Sequence, residues 1–242
     1  MAREEAEETP ILSQRLLLSV AEELKLPLLQ IARQTEQGQL TGQTDLAAIR
    51  ATAESALGLI DNYTLGIRLA LEPEQMAVES VSVSSVLYDA GQQLDALAKS
   101  YGVELELSIA GRFGPVLAHR RGLQAALVSL GAALIEALPA QAEAVSASQL
   151  RLQLATHRSR YGIVAGLYAD TKQASNEALQ RGRELQSRSR QPLMNLTHTS
   201  GAGIFVADTI LKAMKLELRA SRHHRLYGLG TVLQPNHQLQ LV

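Results

Sequence analysis

The chain has no cysteine and no tryptophan, and only 3 % of its 242 residues are aromatic. Without cysteine there can be no disulfide and no thiolate metal site. With so few rings the core has to be aliphatic, built from Leu, Ala, Val and Ile. A charge imbalance is missing too. Lys and Arg number 23 against 24 Asp and Glu, a net charge of −1, which excludes a general attraction to nucleic acid or an anionic membrane. No apolar run approaches the roughly 20 residues needed to span a bilayer. The opening residues, Met1-Ala2-Arg3-Glu4-Glu5-Ala6-Glu7-Glu8, lack the apolar stretch of a signal peptide, so the expected location is cytoplasmic. What is present is an ordinary 46 % of hydrophobic residues, in a chain long enough for one or two domains with a real core.

Residues 1–10 read as an acidic tail and 11–72 as two helices. Pro10 suits a first helical turn, where its missing N–H would be unpaired anyway. After it, Leu17, Ala21, Leu24, Leu28 and Ile31 fall at steps of four and three. Pro27 lies inside that helix and predicts a kink. A polar stretch from Gln37 to Gln43 follows, and Thr44 or Asp45 can cap the next helix. Its seam runs through Leu46, Ile49, Ala53, Ala56, Ile60, Tyr63, Ile67 and Ala70 to about Leu71. Such a narrow, sustained seam favours helix pairing. Either a hairpin packs on its own chain, or two copies close a four-helix bundle.

Glu72-Pro73-Glu74 breaks the second helix, and residues 76–242 read as one α+β domain. Short strands are expected at Val81–Val83 and Pro115–Ala118, and alternating ones through Val103–Ile109 and Leu150–Leu154. Ser84 or Ser85 can cap a helix that ends at Gly102. Arg121–Leu138 reads as a buried helix, Tyr161–Ala169 as a strand, Ser175–Gln186 as a polar helix and Gly203–Lys215 as a helix. Strands are expected at Leu216–Ala220, Thr231–Gln234 and Gln238–Val242. Helices interspersed with mainly antiparallel strands predict a helical layer on one mixed sheet.

Residues 20–28, Val-Ala-Glu-Glu-Leu-Lys-Leu-Pro-Leu, resemble the phosphoacceptor segment of bacterial sensor histidine kinases, His-Glu-Leu-Arg-Thr-Pro-Leu. Glu22 stands at the phosphorylated histidine, while Glu23, Leu24, Pro27 and Leu28 match. The stretch Ala53–Tyr63 is similar to the second helix of that family's dimerisation domain. The order of later elements resembles the family's Bergerat-fold ATP-binding domain, so the likeness extends from about residue 11 to 235. It implies an N-terminal antiparallel hairpin that forms a dimeric four-helix bundle through residues 11–72, followed by an α/β sandwich binding ATP.

Motif by motif, the resemblance is to a degenerate member. His119–Ala133 is similar to the family's metal-binding helix, which carries two asparagines four residues apart. Ser129 and Ala133 hold those places, and alanine offers no oxygen to Mg²⁺. Glu136 stands where the family has a lysine. The first glycine box, Asp-x-Gly-x-Gly, falls at Asp170–Ala174. Asp170, the adenine-binding carboxylate in the family, is kept, and Lys172 and Ala174 replace the glycines. The second box falls at Thr199-Ser200-Gly201-Ala202-Gly203-Ile204 and keeps Gly201 and Gly203 before a helix, a geometry that suits phosphate. Gly228-Leu229-Gly230-Thr231 resembles the family's Gly-x-Gly-Thr turn between the last strands, and also reads as a plain hairpin signal. The resemblance therefore makes Asp170, Gly201, Gly203, Gly230 and Thr231 the nucleotide-binding candidates. The lid between the boxes, Thr171 to His198, is basic, with Lys172, Arg181, Arg183, Arg188 and Arg190 against Glu177 and Glu184. The six histidines, 119, 157, 198, 223, 224 and 237, read as surface residues, with His223-His224 in a loop and no metal-ligand spacing.

The expectation is a histidine-kinase-like pseudokinase: a dimeric scaffold in two-component-type signalling that docks a response regulator. ATP or ADP would bind, if at all, without Mg²⁺, and no resident metal is expected. The alternatives are an unorthodox kinase or ATPase of the same fold, which would need replacement metal ligands, and an anti-sigma-like binding protein.

Overall fold

The computed structural model describes residues 21, 24–25, 27–72, 77–109, 111–142, 150–170 and 201–236. Glu22, the basic lid segment and the strand expected at 238–242 lie outside the described residues, as do three of the residues around the expected kink at Pro27.

Residues 27–41 are helical (α1), and after a break at 42–45 a second helix, α2, spans Leu46–Leu71. Asp45 is the cap, its carboxylate accepting from the Ala48 N–H at 2.9 Å. Asp45→Ala is expected to cost about 1 kcal/mol, read as a lower denaturation midpoint. The buried strip of α2 is Ala56, Leu59, Tyr63, Gly66 and Leu69. It overlaps the seam read from periodicity at Ala56 and Tyr63 but is rotated from it. Ile49, Ala53, Ile60 and Ile67 are half-buried, and Leu46 is exposed. The rotation has a cause in the same chain, because α2 packs on the helical layer of the α+β part. Leu59, Tyr63 and Leu69 belong to the same hydrophobic core as the helices and sheet of that part.

Strand β1 spans Glu79–Val81 and α3 spans Val83–Ser100. The helix starts earlier than expected because Ser82, not Ser84 or Ser85, is its cap. Strands β2 (Glu104–Ile109) and β3 (Val116–Ala118) lead to α4, Arg120–Ala142. Then come β4 (Arg151–Ser159), β5 (Gly162–Ala169), α5 (Gly201–Ala213), β6 (Arg219–His223) and β7 (Leu226–Leu233). The last two strands begin three and five residues later and earlier, respectively, than the expected Leu216 and Thr231, and a turn at His224-Arg225 joins them. His224 takes a positive φ of 52° there.

The architecture is α+β. A five-stranded sheet has the order β2-β4-β5-β7-β6, in which only the β2–β4 pair is parallel, and β1 and β3 form a small separate pair. Helix α4 lies in the crossover between the parallel strands, as such a connection requires. One sheet face carries Leu105, Leu107, Leu152, Leu154, Ile163, Leu167, Leu229 and Leu233. Helices α3 and α4 cover this face, α5 lies against α4, and α2 forms a further layer on all three helices. Arg120 ties α4 to α3 by donating from Nη2 to Ser85 Oγ at 2.9 Å and Asp89 Oδ2 at 2.8 Å.

Among the described residues, α4 is the one helix long and apolar enough to cross a bilayer, over Arg120–Leu138, and most of that stretch is buried in the fold. The length criterion that composition alone did not meet is thus met by a core helix.

Candidate functional site

The resemblance directs attention to α4. With 3.6 residues per turn, residues 122, 129, 133 and 136 share one side of the helix, opposite 131. The Gly131 side meets the sheet layer: a Cβ there would lie 2.3 Å from Leu94 Cδ1 of α3 and 3.1 Å from Leu167 Cδ2 of β5. The Gly122 side meets α2 and the end of α5, since a Cβ at Gly122 would lie 3.1 Å from Leu69 Cδ1 and 3.4 Å from Met214 Sδ. Ser129 and Ala133 are both fully buried, and the Ser129 hydroxyl has no hydrogen-bond partner. Glu136 follows one turn on. Burial raises its carboxyl to about 7, so a neutral-to-negative group stands where the resemblance expects a cation.

The other candidates are distributed rather than gathered. Asp170 is exposed, one residue beyond the end of β5. Gly201 and Gly203 open α5, with Gly203 buried. Gly228, Gly230 and Thr231 correct the sequence reading, because they lie inside β7 and not in a turn. Thr231 is opposite Ala165, and Gly230 is opposite Gly166. Thr231 is therefore five residues short of Asp170 along β5, about 16 Å at strand rise. Its hydroxyl is buried on the helix-covered face and unpartnered. The glycines fit between strands because the backbones approach closely: a Cβ on Gly228 would fall on the Leu167 carbonyl oxygen.

A cavity of about 290 Å³ lies elsewhere, between α2, α3 and α4, lined by Glu54, Gly58, Gln92, Gln93, Val128 and Ala132 among others. None of the nucleotide-binding candidates lines it. Among the described residues no cluster of three or more His, Cys, Asp or Glu side chains could hold a metal ion.

No protein-family model matches the chain, and no curated protein matches it. Solved structures do. The Acinetobacter baumannii histidine kinase AdeS is similar at 14 % identity over 89 % of this chain and 98 % of its own, with a TM-score of 0.45. A bacterial phosphotransferase is similar at 12 % identity over 91 % of this chain and 95 % of its own, with a TM-score of 0.49. The catalytic domain of the histidine kinase ThkA is similar at 6 % identity over 66 % of this chain and 97 % of its own, with a TM-score of 0.43. At these identities and scores the likenesses say nothing of this chain's chemistry.

His224 is exposed in a turn, as the sequence suggests, and His198 and His237 lie outside the described residues, but the other three histidines depart from the surface reading. His119 is a helix cap, its Nδ1 accepting from the Gly122 N–H at 3.0 Å at the start of α4. His223 is not in a loop: it ends β6, and only 6 % of it is exposed. His157 on β4 is half-buried and stacks on it, with ring centroids 4.6 Å apart and planes 18° apart. Sequence offered no sign of this meeting, because 66 residues separate the two positions and neither sits in a motif.

Proposed function

We propose that this chain is a histidine-kinase-like pseudokinase, which keeps the architecture of the kinase core without its phosphoryl-transfer chemistry and serves as a dimeric scaffold in two-component-type signalling. The observation that supports it most directly is the α4 face. Ser129 and Ala133, which stand for the metal-binding asparagines in the resemblance, are fully buried on the side of α4 that faces α2 and α5. Phosphoryl transfer depends on metal neutralisation of the charge on the phosphates. A sealed hydroxyl and a methyl group give a Mg²⁺ ion no oxygen ligand there, and Glu136, on the same side of the helix, supplies none of the positive charge that would attract a polyphosphate. Glu22 at the phosphoacceptor position completes the pattern, since a carboxylate cannot become a phosphohistidine.

The dimer is formed through residues 11–72, and the same helices dock the receiver domain of a response regulator. Apolar residues left uncovered on them, Leu28, Leu29, Leu40, Leu46, Leu57 and Leu71, supply the surface. The nucleotide fold is of the Bergerat type and the location is cytoplasmic. A retained, exposed Asp170 favours one second reading, a nucleotide-binding switch or ATPase that works without the α4 metal site.

Calorimetric titration with ATP, with and without Mg²⁺, together with labelled-phosphate incorporation, separates these readings. The expected outcome is no Mg²⁺-dependent heat and no label up to millimolar ATP. Mg²⁺-dependent binding with incorporated phosphate would sink the scaffold reading, and Mg²⁺-independent binding would favour the switch. Light scattering is expected to give a dimer; a monomer at high concentration would contradict the bundle.

A further inference from the structure

The outer face of the sheet, opposite the helices, carries an arrangement that the proposed function does not use. On a flat sheet His157 and His223 would be far apart. His157 aligns through Val164 with Val232 on β7, whereas His223 pairs with Leu226, six residues away. That is about 20 Å along the strands, with three strand spacings of roughly 4.8 Å across them. Their rings nevertheless stack at 4.6 Å. The β6–β7 ribbon therefore curls back over the outer face.

Tyr168 lies beneath the curl. Its ring is 6.0 Å from that of His157 and 5.5 Å from that of His223, and its hydroxyl is 3.2 Å from Ser221 Oγ. Tyr168 is fully buried by this arrangement. His224, on the ribbon's turn, has its ring 4.2 Å from that of His223. His157 Nδ1 and His223 Nε2 are buried without hydrogen-bond partners.

Two stacked imidazoles tolerate this contact only while uncharged. A proton on either would put a charge among aromatic carbons, beside two further imidazoles, with no counterion among the described residues. The groups on this face can be named. Besides His157, β4 offers Gln153; β5 offers Tyr168, with the exposed Asp170 one residue beyond its end in the same alternation; besides His223, β6 offers Arg219 and Ser221; and the turn adds His224 and Arg225. Arg219 donates to Glu217 at 2.8 Å. The carboxylates Glu104 and Glu106 lie at the β2 margin, held by Arg151 and Gln153. Among the described residues, no carboxylate pairs with any of the three imidazoles.

We propose that the β6–β7 ribbon is a pH-operated latch: the neutral His157–His223 stack closes it over the outer face of the sheet, and acidification opens it. The direction follows from linkage. Burial, with the neighbouring imidazoles, lowers both histidines from the ordinary value of 6.5. The open ribbon regains that ordinary value and so binds protons more readily than the closed one. Closure is thus fully favoured above about pH 7 and weakens as pH falls through 6.5. Below that, the open fraction rises by about tenfold per pH unit for each proton taken up, until the closed form itself protonates.

Hydrogen exchange tests this on the full chain. Amides of residues 219–230, corrected for intrinsic rate, are expected to lose at least tenfold protection between pH 7.5 and pH 5.0, while amides of β4 and the β5 amides that bond β4 keep theirs. The double variant H157F/H223F keeps two stacked rings that cannot charge, and its ribbon protection is expected to be flat over the same range. In case that variant fails to fold, ring-proton titration of the wild type gives an independent reading, with midpoints for both histidines expected below 6.5. Unchanged ribbon protection at pH 5.0, an equal loss in the phenylalanine variant, ring midpoints at or above 6.5, or loss in step across the whole sheet would each overturn the latch.

Discussion

Gly228→Ala will destabilise the fold by about 3 kcal/mol or more, although alanine is the smallest change available. A Cβ at this position meets the Leu167 carbonyl oxygen and the Tyr168 Cα, which are backbone and cannot rotate away. Overpacking of this kind typically costs 1–3 kcal/mol when flexible side chains can adjust, and more when a ladder has to move. For a domain whose whole stability is of order 5–15 kcal/mol that is a large share. Gly58→Ala makes the control. Gly58 is exposed inside α2 with open space around it, so alanine there should add about 0.5–1 kcal/mol through helix propensity. Urea denaturation of both variants reads the two signs. A Gly228→Ala protein within 1 kcal/mol of wild type would mean that β5 and β7 do not approach as described, and the curl of the ribbon would lose its basis.

The second large effect is at Tyr63. This side chain is 1 % exposed on α2 and belongs to the same core as the sheet. Tyr63→Ala removes a ring from a packed interface and is expected to cost about 3–5 kcal/mol, the range for aromatic truncations. Tyr63→Phe is expected to be neutral or stabilising by about 1 kcal/mol, because the hydroxyl it deletes is buried with no partner. The size matters less than the cooperativity. Since α2 lies on α3, α4 and α5, the alanine variant should lose helix and sheet signals in one transition. If sheet amides instead stay protected after the helical signal has gone, α2 is an independent module and the sealing of the α4 face against it fails as an argument.

The two effects show how unevenly the structure could be read from sequence. Periodicity found α2, α3, α4 and most strands because burial of one face repeats along the chain at 3.6 or 2 residues. It placed α2's seam through Ile60 and Ile67 because their spacing is right, yet the strip that is sealed runs through Leu59, Gly66 and Leu69. A helix with apolar residues on more than a third of its circumference does not announce which side meets its own chain. Gly228 and Gly230 were read as a turn because glycine most often marks one. Their use inside β7 depends on the approach of β5, which is set 60 residues upstream.

The candidate site divides the same way. That Ala133 offers Mg²⁺ no oxygen, and that Glu22 cannot carry phosphate as histidine does, follows from side-chain chemistry alone, whereas the Ser129 hydroxyl is withdrawn as a ligand only by its burial. Whether those positions are open or sealed, whether Thr231 comes near Asp170, and whether His157 ever meets His223 are facts about three-dimensional proximity. The amino-acid sequence by itself determined the helical and strand periods, the aliphatic core and the loss of ligand chemistry, because each depends on the residue or on its near neighbours in the chain. Only the tertiary structure decided what α2 covers, where the glycines work and which imidazoles stack. Each of those is a contact between residues distant in sequence, fixed by sheet register and layer packing, for which local pattern carries no signal.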